Sequence, residues 1–508
     1  MNALRQLLHR PANRIHPVRG GVHPDDRKAL AASAPITELP LPARLDLPLQ
    51  QHIGASAAPL VRKGQRVAKG EPIARAQGPI SAPLHAPTSG RVIAIAERPA
   101  HHPSGLAMPT ISIEPDGDER WYAELTPCDD PLALDPGTIA ERVAAAGIVG
   151  LGGATFPAAV KLNLGASHPL HTLVINGAEC EPYLTCDDRL MRERAEAVID
   201  GARIMAHALG VGGILVAIED NKPEAAAAIE TAAAGFDAIT LIRVPTRYPM
   251  GSERHLVQAL IGRETPARAL TAQLGVVVHN PATAFAVHQA LRLGQPLIAR
   301  VVTLSGAAIA RPANLWVPLG TPVETLIAHC GGLTEDNARL VSGGPMMGQP
   351  LPGTQVPTTK GCNGILALGA AERAPGQTMP CTRCGRCVEV CPCGLVPLEL
   401  GAHIRAGDLE GAAARGLHDC LGCGSCAYTC PSQQPLAQYI AHAKGELAAR
   451  ERAKHKQAET KALAEQRTAR LEAIKLAKRE AMAKRKREAA RKQAEQQAAQ
   501  AEQTETEH

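Results

Sequence analysis

Aromatic residues are scarce in this chain: three Phe, five Tyr and two Trp in 508 residues. A ligand with a flat ring system has few stacking partners to choose from, so their positions are informative. Long apolar runs are missing too. No stretch of 18 or more uninterrupted apolar residues occurs, so no transmembrane helix is expected, and membrane association would have to come through partners. Residues 1–16 are basic but have no apolar central region, so no secretory signal is expected there. Most of the chain also lacks an excess of either charge. Residues 446–508 hold 16 Lys/Arg and 11 Asp/Glu, a surplus equal to the formal +5 of the whole chain, and the remainder has 38 of each sign. A formally neutral body offers no nucleic-acid surface. Fourteen cysteines in a chain of this length do not make a secreted disulfide scaffold.

Eight of those cysteines form a pattern. The run Cys381-x2-Cys384-x2-Cys387-x3-Cys391-Pro392 recurs with identical spacing as Cys420-x2-Cys423-x2-Cys426-x3-Cys430-Pro431. This is the ligand pattern of paired [4Fe–4S] clusters, in which the fourth cysteine of each run crosses to the other cluster. The predicted ligand sets are therefore Cys381, Cys384, Cys387 and Cys430 for one cluster, and Cys420, Cys423, Cys426 and Cys391 for the other. Structural zinc also uses C-x2-C pairs, but it needs only four ligands and has no use for the Cys-Pro step. Iron–sulfur clusters imply a reducing, cytosolic compartment and one-electron transfer. Of the other cysteines, Cys393 reads as a bystander near a cluster, and Cys128, Cys330 and Cys362 as small buried hydrophobes.

The rest of the chain divides by composition. Residues 41–120 are rich in Val, Ile, Pro and Gly and read as short strands with tight turns. The segments 61–74 and 86–95 resemble the two halves of biotinyl and lipoyl carrier domains. The hairpin His85-Ala86-Pro87-Thr88-Ser89-Gly90 has no lysine to modify, which makes its role structural. Residues 121–299 alternate apolar strand-like runs (172–175, 213–218, 275–279) with Ala-rich helical runs (191–209, 223–234), the pattern of a parallel α/β sheet. Residues 300–374 return to β patterning around a helix at 322–330. The cluster region spans 375–444, with a helix expected at 397–414. Residues 445–508 are Ala, Lys, Arg, Glu and Gln, with high helix propensity and too little apolar surface for a core. Two readings of that tail stay open: a solvated helix with no specific role, or electrostatic contact with an anionic lipid surface or acidic partner.

Polar residues crowd the strand ends of the α/β region, where such sheets bind ligands. The loop 150–161 (Gly-Leu-Gly-Gly-Ala-Thr-Phe-Pro-Ala-Ala-Val-Lys) can bring backbone N–H groups and Lys161 to a phosphate. After strand 172–175 come Asn176, Glu179 and Glu181, an amide and two carboxylates suited to ribityl or ribose hydroxyls. Two further segments follow, Arg247-Tyr248-Pro249-Met250-Gly251-Ser252-Glu253-Arg254 and His279-Asn280-Pro281-Ala282-Thr283. Phe156, Tyr183 and Tyr248 lie in or beside these segments.

Together the four segments resemble one family, the C subunit of the Rnf electron-transport complex. The similarity covers nearly the whole chain and includes the opening Gly20-Gly21-Val22-His23-Pro24. The middle is similar to the flavin subunit of respiratory complex I: Gly152–Pro157 matches its Gly-Gly-Ala-x-Phe-Pro loop, and 176–182 its Asn-Ala-Asp-Glu-x-Glu-Pro run. Ala178 stands where that relative has Asp, and Ser252 where it has the first of two Glu. The resemblance implies a multidomain α/β chain. Its parts are a 1–40 N-terminal segment, a barrel-sandwich β domain, a complex I flavin-subunit-like α/β FMN domain, a β-grasp module, a helical two-[4Fe–4S] ferredoxin domain and a charged helical tail. It further implies that Gly152, Gly153, Ala154 and Lys161 hold the FMN phosphate and that Asn176 and Asn280 contact the flavin or its ribityl chain. Glu179, Glu181 and Glu253 would line the nicotinamide side, with Phe156 or Tyr248 stacking there.

The implied function is electron transfer between NADH, through FMN and two [4Fe–4S] clusters, and a ferredoxin-like partner, in either direction. The chain would sit peripherally on the cytoplasmic face of the bacterial inner membrane, with membrane and iron–sulfur subunits of an Rnf-type complex as partners and ion movement left to them. A flavin joins a two-electron donor to one-electron carriers, so no side chain need act as acid or base. Two alternatives are a flavin-free wiring or scaffold subunit, and the flavin subunit of another NADH-dependent oxidoreductase. Those flavin subunits usually carry a single cluster site. The A subunit of the sodium-pumping NADH–quinone reductase shares the barrel and α/β parts but lacks the doubled run.

Overall fold

The computed structural model describes residues 15–373 and 376–505. Residues up to Ile440 form one compact unit, and those from Ala441 a second. In the first unit, the barrel-sandwich part has two sheets. One orders Leu45–Pro48, Ala107–Pro115, Gly90–Pro99 and Arg66–Val67; the other orders Ala58–Pro59, Pro72–Arg75 and Leu84–His85. Leu47, Ile73, Leu84, Val92, Ile111 and Ile113 share its core. The turn that would carry a swinging arm is buried at His85, Ala86, Thr88 and Ser89. Lys360, from the β-grasp module, donates to Pro83 O at 2.7 Å and to Gly147 O at 2.6 Å. Burial pushes its ammonium down to about 7. The turn is therefore a packing junction of three modules.

The α/β part holds a four-stranded, fully parallel sheet in the order Ile239–Val244, Gly213–Glu219, Thr172–Gly177, Val276–His279. Its central strands are continuous apolar runs because helices cover both faces. The helix Ala195–Leu209 packs against Pro281–Arg292 so closely that a Cβ at Gly201 would sit 1.8 Å from Ala284 O. In chain order the strands run 3-2-1-4 across the sheet, so the order reverses between Thr172–Gly177 and Val276–His279. A crevice for ligands opens at such a reversal, beyond the strand C-termini. The expected helix 191–209 is two helices, Cys186–Glu193 and Ala195–Leu209, broken where Arg194 leaves helical geometry at φ −134° and ψ 31°.

The β-grasp sheet has six strands: Thr37–Glu38, Ala313–Pro318, Ala299–Ser305, Gly364–Leu368, Arg339–Ser342 and Gln349–Pro350. Its first strand, at residues 37–38, ties the described end of the N-terminal segment into the body. Upstream, Val22 pairs with Tyr248 and Gly21 N donates to Val390 O at 2.8 Å. In the cysteine region, the helix expected at 397–414 is Pro397–Arg405 and Leu409–Ala414, separated at Gly407 (φ +76°), with Asp408 capping the second through Gly411 N at 2.8 Å. The last helix, Leu436–Glu505, carries the tail, whose charges include the pairs Arg450–Glu446, Lys454–Glu451 and Arg491–Glu495. No helix among the described residues is long and apolar enough to cross a membrane.

Candidate functional site

The sheet reversal gathers most of the predicted polar residues. The loop from Gly150 runs exposed through Gly152, Gly153 and Ala154, then turns in at half-buried Phe156 and enters the short helix Ala158–Leu162. Gly153 has φ +109°, and a Cβ there would meet nothing within 4 Å, so the loop is open at this point. Two buried groups fix the loop's base: Thr283 Oγ1 accepts from Leu151 N at 2.9 Å, and the Arg300 guanidinium donates to Leu151 O at 3.0 Å. Asn280 packs beside Gly152, caps its own helix through Ala282 N at 2.8 Å and donates to Asp187 Oδ2 at 2.5 Å. Burial raises the Asp187 carboxyl, and neighbouring Glu179 raises it further. Lys161 reaches Glu253 Oε2 at 2.8 Å and Val278 O at 3.1 Å, while Thr271 Oγ1 donates to Glu253 Oε1 at 2.7 Å. Asn176 is held between Ala178 N and Gly251 O. A cleft bordered by an open glycine loop, a lysine, two amides and a carboxylate suits a phosphate-bearing ligand with a hydroxylated chain, and FMN is such a ligand.

Three residues expected on the nicotinamide side have other partners. Glu179 accepts from Asp187 N at 3.0 Å and Asp188 N at 3.4 Å, at the start of the helix Cys186–Glu193. Glu181 accepts from Met346 N at 3.0 Å and Met347 N at 2.8 Å, and burial pushes its carboxyl up to about 7. Tyr248 is 2% exposed, and its hydroxyl donates to Cys423 O at 2.6 Å, so its ring lies in the protein interior and is not presented for stacking. Glu253 stays at the cleft with Lys161. Asp187, Thr283, Thr271 and Arg300 were not singled out by sequence. Asp187 lies in the polar run after strand 172–175 and Thr283 ends a segment that was, whereas Arg300, second in the strand Ala299–Ser305, carries no local signal.

The cysteines surround two cavities. Cys381, Cys384, Cys387 and Cys430 line one, and Cys391, Cys420, Cys423 and Cys426 line the other, the same sets that the spacing pairs. Cys387, Cys426 and Leu436 share one buried cluster. Burial pushes the Cys426 thiol up to about 12 and raises Cys387 and Cys391. The thiols of each set share one cavity, and four thiolates about a common space are the ligand set of a cubane. The second cavity is the one beside the α/β part, because Cys423 packs with Val22, Tyr248, Cys180 and Met346.

Comparison with known proteins agrees with this architecture. Residues 16–118 match the RnfC barrel sandwich hybrid domain, 143–289 the Nuo51 FMN-binding domain, 301–350 the SLBB domain and 380–434 the 4Fe-4S dicluster domain. The C subunit of the ion-translocating oxidoreductase complex from Rhodobacter capsulatus is 59% identical over 440 residues, 86% of this chain and 84% of that protein. The chain belongs to the family of C subunits of ion-translocating oxidoreductase complexes. The same-named protein of Pseudomonas aeruginosa is 46% identical over 458 residues, 90% of this chain and 59% of that one. That of Serratia proteamaculans is 44% identical over 466 residues, 92% of this chain and 66% of its own length. The FMN and dicluster domains supply the cofactors that the cleft and the two cavities fit: one flavin and two [4Fe–4S] clusters.

Proposed function

We propose that this chain is the peripheral electron-transfer subunit of an ion-translocating complex, passing electrons between NADH, through FMN, and a ferredoxin-like partner by way of two [4Fe–4S] clusters. Continuity of packing supports this reading most: the segment 247–254, which borders the cleft through Glu253, also places Tyr248 on Cys423. Bound FMN supplies the exchange between a two-electron hydride donor and one-electron carriers. The chain's own groups bind, orient and insulate. The backbone of Gly152, Gly153 and Ala154, with Lys161, takes the phosphate. Asn176, Asn280 and Asp187 orient the ribityl chain and ring, and Glu253 faces the nicotinamide side. Phe156, on the same loop, is the remaining aromatic candidate for that face. Cys391, Cys420, Cys423 and Cys426 ligate the inner cluster; Cys381, Cys384, Cys387 and Cys430 ligate the outer one. The other subunits of the complex hold the chain on the cytoplasmic face of the bacterial inner membrane and move the ion.

Anaerobic titration of reconstituted full chain with NADH, followed by absorbance and EPR, tests this. Bleaching of a flavin band together with two [4Fe–4S] signals is expected. A protein that takes up both clusters but no FMN would instead be a wiring subunit.

A further inference from the structure

We propose that Glu181 is a positioning residue for the inner cluster and not a nicotinamide contact; the proposal rests on the functional reading above. Its carboxylate receives two backbone N–H bonds, from Met346 at 3.0 Å and Met347 at 2.8 Å, across 165 and 166 residues of sequence. Hydrogen bonds to a charged acceptor are among the stronger kind. The loop presses directly onto it, since a Cβ at Gly344 would lie 2.1 Å from Glu181 Oε2. On the other side, the Glu181 carbonyl accepts from the buried ammonium of Lys28 at 2.9 Å. Glu181 thus joins the N-terminal segment, the α/β part and the 343–348 loop.

The far side of that loop covers the inner cysteine group. Met346 packs against the buried group of Cys423, Tyr248 and Val22. Its carbonyl oxygen would lie 2.8 Å from a Cβ at Gly424, the residue after Cys423. Gly424 has φ +75°, so close approach and backbone conformation both call for glycine. One carboxylate therefore anchors a loop that keeps water from Cys423. Without it, the Met346 and Met347 N–H groups lose their acceptors and the loop loosens.

The direction of the redox effect follows. Reducing a thiolate-ligated cluster adds negative charge, and cluster potentials respond to nearby charge and solvent exposure. Removing a carboxylate and admitting water both stabilise the reduced form, so the inner midpoint rises.

The test uses the reconstituted full chain with E181Q, E181A and M346A, in the wild-type background and with C384A, which removes the outer signal. Dithionite titration with EPR at pH 8.5, where Glu181 is ionised, should show the inner midpoint rising in all three variants, most in E181A, with the outer one unmoved. Hydrogen exchange at the Met346 and Met347 amides should speed up in E181A. M346A leaves Glu181 in place, so a shift there shows that the loop carries the effect even if E181A folds poorly. The NADH dependence of flavin reduction should stay within about twofold of wild type. A rise of about tenfold in NADH KM for E181Q, with or without a midpoint shift, would overturn the proposal. So would an unmoved inner midpoint in E181Q and M346A. Failure of NADH to bleach wild-type flavin would count against the functional reading alone, because midpoints and amide exchange are read without NADH.

Discussion

Around Cys381, Cys384, Cys387 and Cys430 stand three guanidinium groups, Arg383, Arg386 and Arg405, and Cys381 and Cys384 are exposed. The cavity of Cys391, Cys420, Cys423 and Cys426 is lined, among the described residues, by no charged side chain but by groups such as Leu395, Leu421, Ala437 and Ile440. Identical spacing thus sits in cavities of different lining, cationic in one and apolar in the other. Spacing sets which thiols share a cluster, whereas the surroundings set how readily that cluster takes an electron. Cations beside the outer group favour its reduced form, and apolar burial disfavours reduction of the inner one. The inner cluster is therefore expected to have the lower midpoint, which makes the step from inner to outer cluster run downhill.

The largest expected break in this comparison is Cys384→Ala. It should abolish the outer EPR signal and cut electron delivery to an external one-electron acceptor by at least about tenfold, while NADH still bleaches the flavin at the wild-type rate. Loss of flavin reduction as well would overturn the linear order. Next is Arg300→Ala, which removes the guanidinium that holds Leu151 O and costs about 3 kcal/mol at a buried site. FMN should be lost on gel filtration while both cluster signals persist; full FMN retention would remove Arg300 from the cleft's support.

A pH effect separates the two groups further. Glu181, beside the inner one, ordinarily titrates at 4.5 and in the folded chain at about 7. Between those values the folded state holds a proton that the unfolded chain has released. The stabilisation is full below about pH 4.5 and is lost as pH rises through 7. The urea midpoint should fall from pH 5.5 to 7.5 in the wild type and fall less in Glu181→Gln; equal slopes would refute the assignment. Tyr248→Phe deletes the bond to Cys423 O and should cost about 1 kcal/mol, read as a lower urea midpoint, with a shift of the inner potential only. The smallest effect is Arg386→Gln, which should lower the outer midpoint in redox titration and leave the inner one in place.

What was legible in the sequence follows the range of each interaction. The cysteine sets and the parallel sheet were legible because short spacers and apolar periodicity are local signals. So was the absence of a carrier lysine, and burial of His85 to Ser89 agrees with a structural turn. The helix break at Arg194 was not legible, since neither Gly nor Pro marks it. The commitments of Glu181 and Tyr248 were hidden because their partners lie 165 to 175 residues away. Motif position placed both near a ligand, but only the fold shows that they face the loop and the cysteines. Arg300 was hidden for the same reason, 149 residues from Leu151.

Electrons are proposed to leave the flavin through the inner group and only then reach the outer one. The most direct test compares Cys384→Ala with Cys423→Ser under NADH, with dithionite as the control for an intact remaining cluster. NADH should reduce the inner cluster in Cys384→Ala and fail to reduce a dithionite-reducible outer cluster in Cys423→Ser. Reduction of that outer cluster by NADH at the wild-type rate would contradict this order.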